Sequence, residues 1–469
     1  MSSETSIHPQ IPGRTSDSLT RRLLRGFGAT ALSPLVTAVV QLGSVPLLLH
    51  AWGPAKYGDW LLLAAIPTYM SFSDLGFGDA SGSDMSMRVA ARDRAGALET
   101  FQSSWVLVTI VSFVALLVVS LSVWWMPWRA WLHLSSVSNH QAAMIVLVLA
   151  AYIAVSQQDG VAESGYRSDG HFATGTIWIS VQRLGETVAA TLVALLGGSL
   201  LAVACAYLAV RCVGVVAYAI YLCHLSPWIQ YGIRHARMKT IKKLAAPAMG
   251  FIAFPLGTAV SLQGFTIVIG AVLGPIAVVS FSTLRTLSRV TYQLVIVVKH
   301  GIWPELSRTF GEGDISMARR LNRFAWQASL GISVVSTAFL WFAGPYVYHV
   351  WLHRQVAFDA SCFHVLLLVV VVNSLWDIGS VIAMSINGHC RIAVLYSAAA
   401  CASLGLAWIL LPTWGTLGAA VALLAMDGFM TVFVLRTALK YTNDSLSDFS
   451  GSLLSIPRLP RIVEIAPGA

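Results

Sequence analysis

Charge is what this chain has least of. Only 11% of its 469 residues are Asp, Glu, Lys or Arg, against about a quarter in a soluble domain. Hydrophobic residues make up 56%, more than a water-soluble chain of this size can hide and well suited to a bilayer. Nucleotide and metal signatures are missing as well. No Walker A loop, HExxH pair or DxD motif occurs, which excludes ATP hydrolysis by that route and the common metal-hydrolase sites. Gly76-Phe77-Gly78 follows an apolar run rather than a strand, so it is no dinucleotide loop. No long polar insertion separates the apolar runs, which argues against a membrane enzyme that holds a large acceptor. The six cysteines, Cys205, Cys212, Cys223, Cys362, Cys390 and Cys401, form no CxxC pair and read as small apolar packing residues. Residues 1–18 lack the apolar core of a cleaved signal peptide, so the first hydrophobic run is expected to stay in the mature protein.

What is present is a series of runs near the twenty residues that span hydrocarbon. They lie at about 27–51, 58–78, 101–126, 141–158, 173–196 and 198–223, then 244–272, 275–299, 324–349, 362–386, 391–411 and 415–438. The fold class expected is an all-α integral membrane protein with about 12 transmembrane helices. The net charge of +9 suggests nucleic acid only superficially, because the basic residues sit between apolar runs. With both termini in the cytoplasm, 23 of the 30 Lys and Arg fall on inner segments. Only Lys56, Arg129 and Arg354 fall outside, an asymmetry that fixes orientation. Trp52, Trp124, Trp125, Trp128, Trp131, Trp351 and Trp414 gather near the proposed outer ends, at headgroup level.

The chain also repeats itself. At an offset of 221, Pro34 falls on Pro255, Gly43 on Gly264, Gly53 on Gly274 and Pro54 on Pro275. Two six-helix lobes related by an axis along the membrane normal follow. The expected division is a tail (1–26), a first lobe (27–223), a basic linker (224–243), a second lobe (244–440) and a second tail (441–469). Pro34 and Pro255 are expected to bend their helices, since proline removes a donor and clashes with the turn before it.

Ionisable groups inside spans are site candidates because hydrocarbon disfavours them. Arg285 and Arg289 stand four apart on one face of the eighth span, with Tyr292, Lys299 and His300 continuing along that side. A wet, cationic cavity that takes an anion suits such a pair, because guanidinium groups hold phosphate oxygens bidentately. Arg211 in the sixth span is expected to add to it. Asp377 and Asp427 are candidates for counter-charge or for a coupling proton. Arg183 and Glu186, three apart, are expected to pair. Asp74, Asp79 and Asp84 are read as wet structural groups that cap helices or pair with Arg88.

Several segments resemble one family. Tyr69 to Ala97, with Ser-Asp-Leu-Gly-Phe-Gly at 73–78, is similar to the second-span signature of O-antigen-type polysaccharide flippases of the MOP superfamily. His50 to Trp60, Gly270 to Val290 and Trp303 to Asp314 resemble other pieces of that family in order. The resemblance implies a MATE-like fold of two lobes around a central cavity and alternating access. It also implies a cargo, a glycan on an undecaprenyl pyrophosphate carrier, moved from inner to outer leaflet for polysaccharide biosynthesis. Related peptidoglycan-precursor flippases usually have fourteen spans, and multidrug exporters often carry an acid in the first span, where this chain offers Gln41. Both departures favour the polysaccharide branch. The alternatives are a cation-coupled small-molecule exporter of similar fold and a component of a glycan-assembly complex. No catalytic residue, metal or cofactor is expected; a proton or sodium gradient is left open as the driving force. The partners expected are lipid-linked oligosaccharide and membrane lipid, with other glycan-assembly membrane proteins left open, no nucleic acid, and a location in the cytoplasmic (inner) membrane.

Overall fold

The computed structural model describes residues 32–453 apart from 75 and 387. Both expected tails fall largely outside these, and with them Arg14, Arg21, Arg22, Arg25, Arg458 and Arg461. The protein is all-helical among the described residues. The first half contains α1 (Leu32–Ala65), a 3-10 segment (Pro67–Asp74), α2 (Phe77–Ala90), α3 (Arg94–Ser122), α4 (Asn139–Ser168), α5 (Phe172–Leu195) and α6 (Leu200–Leu225). The second contains α7 (Met238–Ala259), a π-turn (Val260–Gly264), α8 (Phe265–Leu273), α9 (Pro275–Gly311), α10 (Ile315–Trp351), α11 (Ala360–Ser385), α12 (Cys390–Trp414) and α13 (Thr416–Thr442), with a short α14 (Leu446–Leu453).

Eight described helical segments are long and apolar enough to cross a membrane. The other four expected spans are present but diluted or broken. The first two share α1, which turns at Gly53, and the second ends in the 3-10 segment. The spans in α5 and α9 carry Arg183 with Glu186, and Arg285 with Arg289 and Lys299. Side chains cap several starts. Ser138 and Gln141 form a reciprocal capping box on α4, and Asp93, Ser199, Asp314 and Asp359 each accept a first-turn N–H.

The repeat predicted by the 221-residue offset reappears in backbone angles. Gly53 stands at φ 71°, ψ 169° and Gly274 at φ 83°, ψ 177°, each followed by proline. That region is open to glycine and hostile to any residue with a Cβ, which is why both corners need Gly-Pro. The packing repeats too. In the first half α4 packs on α6, α5 on α6, α2 on α4 and α1 on α5; in the second, α11 packs on α13, α12 on α13, α9 on α11 and α7 on α12.

The two halves meet at the Gly-Pro corners. Gly58 lies directly on the backbone of Pro275, and Gly270 on the side chain of Leu62, so neither site has room for a Cβ. The Trp351 indole donates to the Leu42 carbonyl across the same seam at 2.7 Å. The loop after α3 is pinned there by Asp59, which accepts from the Ser135 and Ser136 amides at 3.2 and 2.6 Å. At the opposite end α7 packs on α2 and α3. There Asp84 accepts from Thr100 at 2.7 Å, Arg88 at 2.6 Å and Lys243 at 3.3 Å. The expected Asp84–Arg88 pairing is therefore present. Asp79 instead meets Arg167 at 3.4 Å, and the side chain of Asp74 lies outside the described residues. The linker is stitched to α3, with Gln102 bonding the Gln230 carbonyl and the His235 amide, and Ser103 accepting from the Arg237 amide.

Candidate functional site

Helix α9 sets the site. Its spacing of four, then three, puts Arg285, Arg289 and Tyr292 on one face, and Lys299 lies two turns further along. Opposite stand Thr258 and Ser261 from α7 and the π-turn, Asn373, Trp376 and Asp377 from α11, Tyr396 from α12 and Asp427 from α13. Together they line a cavity of about 260 Å³. All its lining residues belong to the second half, so the cavity is walled by one lobe and not by both. Drug-sized ligand sites run to roughly 300–1,000 Å³. This volume therefore fits the charged head of a larger ligand and not a whole glycan.

The π-turn contributes an acceptor. Pro255 has no N–H to give, and the helix departs from α geometry just beyond it, at Val260–Gly264. Ser261 lies in that turn and holds Arg285 through its carbonyl at 2.8 Å and its hydroxyl at 3.2 Å. Pro255 thus marks an irregular helix, while the side chain of Pro34 lies outside the described residues.

Cations outnumber carboxylates in the lining, three to two. Lys299 meets Asp377 at 2.6 Å, and Tyr292 donates to the same carboxylate at 2.8 Å. Asp427 is held by neutral donors, Asn373 at 3.0 Å and Trp376 at 2.8 Å. Neither arginine has a carboxylate within 4 Å among the described residues. Arg285 rests on Ser261, and Arg289 leans over the Tyr292 ring, 5.1 Å from its centroid. Arginine forks and a hydroxyl around a small cavity are what an anionic oxygen cluster requires.

The structure thus gathers Arg285, Arg289, Asp377 and Asp427 into one cavity and leaves Arg211 out of it. Arg211 sits in the first half, clamped between Asp159 and Glu186. It was grouped with the cavity as a further cation within a span, but the sixth span belongs to the other lobe and its carboxylates hold it there. Glu186, expected to meet Arg183, is taken by Arg211 and Tyr152, because it faces the lobe interior while Arg183 is exposed. Lys299, expected to continue along the arginine side of the eighth span, lines the cavity with Arg285 and Arg289. Sequence reasoning missed Ser261, Asn373, Trp376 and Tyr396. The i, i+3, i+4 spacing of Asn373, Trp376 and Asp377 was the available signal.

No family model matches the chain, and no curated protein matches it. Its likeness to solved structures is extensive. An inward-facing multidrug resistance MATE family transporter of the MOP superfamily superposes with a TM-score of 0.70 at 15% identity, covering 90% of this chain and 99% of that one. A MOP superfamily transporter from Pyrococcus furiosus, described by the reverse polarity of its binding pocket, gives 0.65 at 14% identity, covering 91% and 96%. An outward-facing multidrug resistance MATE family transporter gives 0.61 at 13% identity, covering 93% and 97%. The chain therefore has a MATE-like fold.

Proposed function

We propose that this protein is an alternating-access transporter that flips a pyrophosphate-linked oligosaccharide lipid from the inner to the outer leaflet of the cytoplasmic membrane. The supporting observation is the excess of cations in the second-lobe cavity, above all Arg289, which has no carboxylate against it. An amphiphile with a diphosphate head needs a cationic seat for the head while its sugars and tail stay outside. A volume of about 260 Å³ matches that division. The fold is that of transporters, and one relative of that fold is described by a binding pocket of reverse polarity, so pocket charge varies on this scaffold. The positive-inside count orients the Gly-Pro corners outward, where the seam between the lobes is closed. Rocking about that seam would expose the cavity to each side in turn.

The second reading is a cation-coupled exporter of small molecules. Two unpaired arginines disfavour cationic drugs by like-charge repulsion, which leaves anionic small molecules as the form this reading takes. In cells that depend on the protein, Arg285→Gln with Arg289→Gln is expected to abolish surface glycan and accumulate lipid-linked glycan inside, at unchanged abundance. Normal surface glycan in that variant refutes the reading.

A further inference from the structure

Positive charge gathers again where the first half joins the second. Residues 226–245 carry Arg234, Arg237, Lys239, Lys242 and Lys243 and no Asp or Glu. All five are exposed. Lys243 reaches Asp84 at 3.3 Å, a contact between the two halves. Among the described residues no carboxylate lies within 4 Å of the other four. Two large apolar side chains stand among these cations, Ile233 at 75% exposure and Met238 at 66%.

The segment is held to one shape from beneath. Ile229 is buried, and Tyr231 packs edge-on against Phe101 and Trp105, with ring centroids 5.0 and 5.7 Å apart. The Trp228 indole donates to Asp169 at 3.1 Å. Gln102 and Ser103 fix the backbone at Gln230, His235 and Arg237. With these side chains turned inward, Ile233 and Met238 are left outward beside the arginines. Water disfavours that arrangement, whereas the headgroup boundary of a bilayer takes both the apolar tips and the cations.

Orientation by the positive-inside rule asks for inner cations but not for apolar side chains between them. Arg320, Arg391, Arg436 and Lys440 are also exposed near inner ends, yet they are spread over α10, α12 and α13. The linker gathers four cations within the nine residues 234–242. The chain's own tails do not complement this surface. Residues 1–31 hold four arginines against two acids, and residues 454–469 hold two against one, so both are cationic too.

We propose that residues 233–242 form a docking surface for anionic phospholipid headgroups of the inner leaflet. Arg234, Arg237, Lys239 and Lys242 meet the phosphates, and Ile233 and Met238 enter the boundary between headgroups and chains. Each cation held near an anionic surface raises the preference about fivefold. The surface is separate from the second-lobe cavity and independent of the cargo.

The test counts lipids. The full chain in nanodiscs of equal phosphatidylglycerol and phosphatidylethanolamine, with identical acyl chains, is analysed by native mass spectrometry for the lipids it retains. The parent is expected to favour phosphatidylglycerol at least about tenfold. Replacing Arg234, Arg237, Lys239 and Lys242 together by Gln is expected to remove that preference. The same change at Arg320, Arg391, Arg436 and Lys440 removes as much charge and is expected to leave it. Arg285→Gln with Arg289→Gln is expected to leave it as well. Ile233→Ser with Met238→Ser is expected to lower the number of lipids retained with charge untouched. No preference in the parent overturns the proposal. So does equal loss in the two fourfold variants, which would make net charge and not this surface the cause. Should the fourfold linker variant fail to fold, Arg234→Gln with Lys239→Gln decides the question by the same ratio.

Discussion

The seam between the Gly-Pro corners makes a measurable demand. A Cβ on Gly58 would lie 2.7 Å from the carbonyl carbon and 2.8 Å from the Cβ of Pro275. Ordinary contact begins at 3.4 Å, and the Pro275 carbonyl oxygen is nearer still, so Gly58→Ala must push the two corners apart by at least about 0.7 Å. Backbone on the far side cannot turn away, and overpacking of this kind costs about 1–3 kcal/mol. If the seam closes in one state and parts in the other, that cost falls on the closed state alone. The population of seam-open molecules should then rise about 5- to 150-fold. Spin labels at Lys56→Cys and Ile276→Cys, with the native cysteines replaced, report the separation by pulsed electron resonance. The variant should populate a longer distance than the parent. Gly43→Ala, on a glycine with nothing within 4 Å of an added Cβ, should not. An unchanged distance distribution in Gly58→Ala would refute the idea that this contact is state-dependent.

Three further outcomes follow from the same geometry. Arg211→Gln leaves two buried carboxylates without their cation and should lower stability by about 3–5 kcal/mol, read as a fall in the thermal unfolding midpoint in detergent; adding Asp159→Asn should restore part of it. Gly53→Ala and Gly274→Ala each force a Cβ into a positive-φ, extended-ψ backbone, so each should destabilise by about 1–3 kcal/mol and the two by similar amounts; a large disparity would mean the corners are not equivalent. Burial works to raise the Asp84 carboxyl, but Thr100, Arg88 and Lys243 outweigh it and hold it below its ordinary 3.8. A depressed folded-state value means that its contribution is present in full above 3.8 and is lost as pH falls below it. Chemical unfolding at a series of pH values should therefore show a loss in strongly acidic solution that Asp84→Asn removes.

Much of this architecture was legible in the residues. Glycine and proline at one offset carried the repeat, because Gly53 and Gly274 need a backbone region closed to other residues. Arg285 and Arg289 were legible because charge is costly in hydrocarbon and helical spacing fixes a shared face. Partners were not legible. Which carboxylate meets which cation depends on helix rotation and lobe membership, and neither is written in spacing along one helix. Glu186 therefore seemed to belong to Arg183, and Arg211 to the cavity. Lys299 was legible in the same way as the arginines, seven residues beyond Tyr292 on the side of α9 that faces the cavity. The acceptor on Ser261 depends on a π-turn that hydrophobic periodicity does not report.

The seat for a diphosphate is most directly tested by binding. Purified protein in nanodiscs is mixed with undecaprenyl pyrophosphate or with uncharged undecaprenol, and retention of each lipid is measured by native mass spectrometry. Charge-assisted hydrogen bonds contribute about 1.5–3 kcal/mol each, so the pyrophosphate lipid should bind at least about tenfold tighter. That preference should vanish in Arg285→Gln with Arg289→Gln and persist in Arg211→Gln. Equal retention of the two lipids by the parent protein, or a preference that survives the double substitution, would contradict the account.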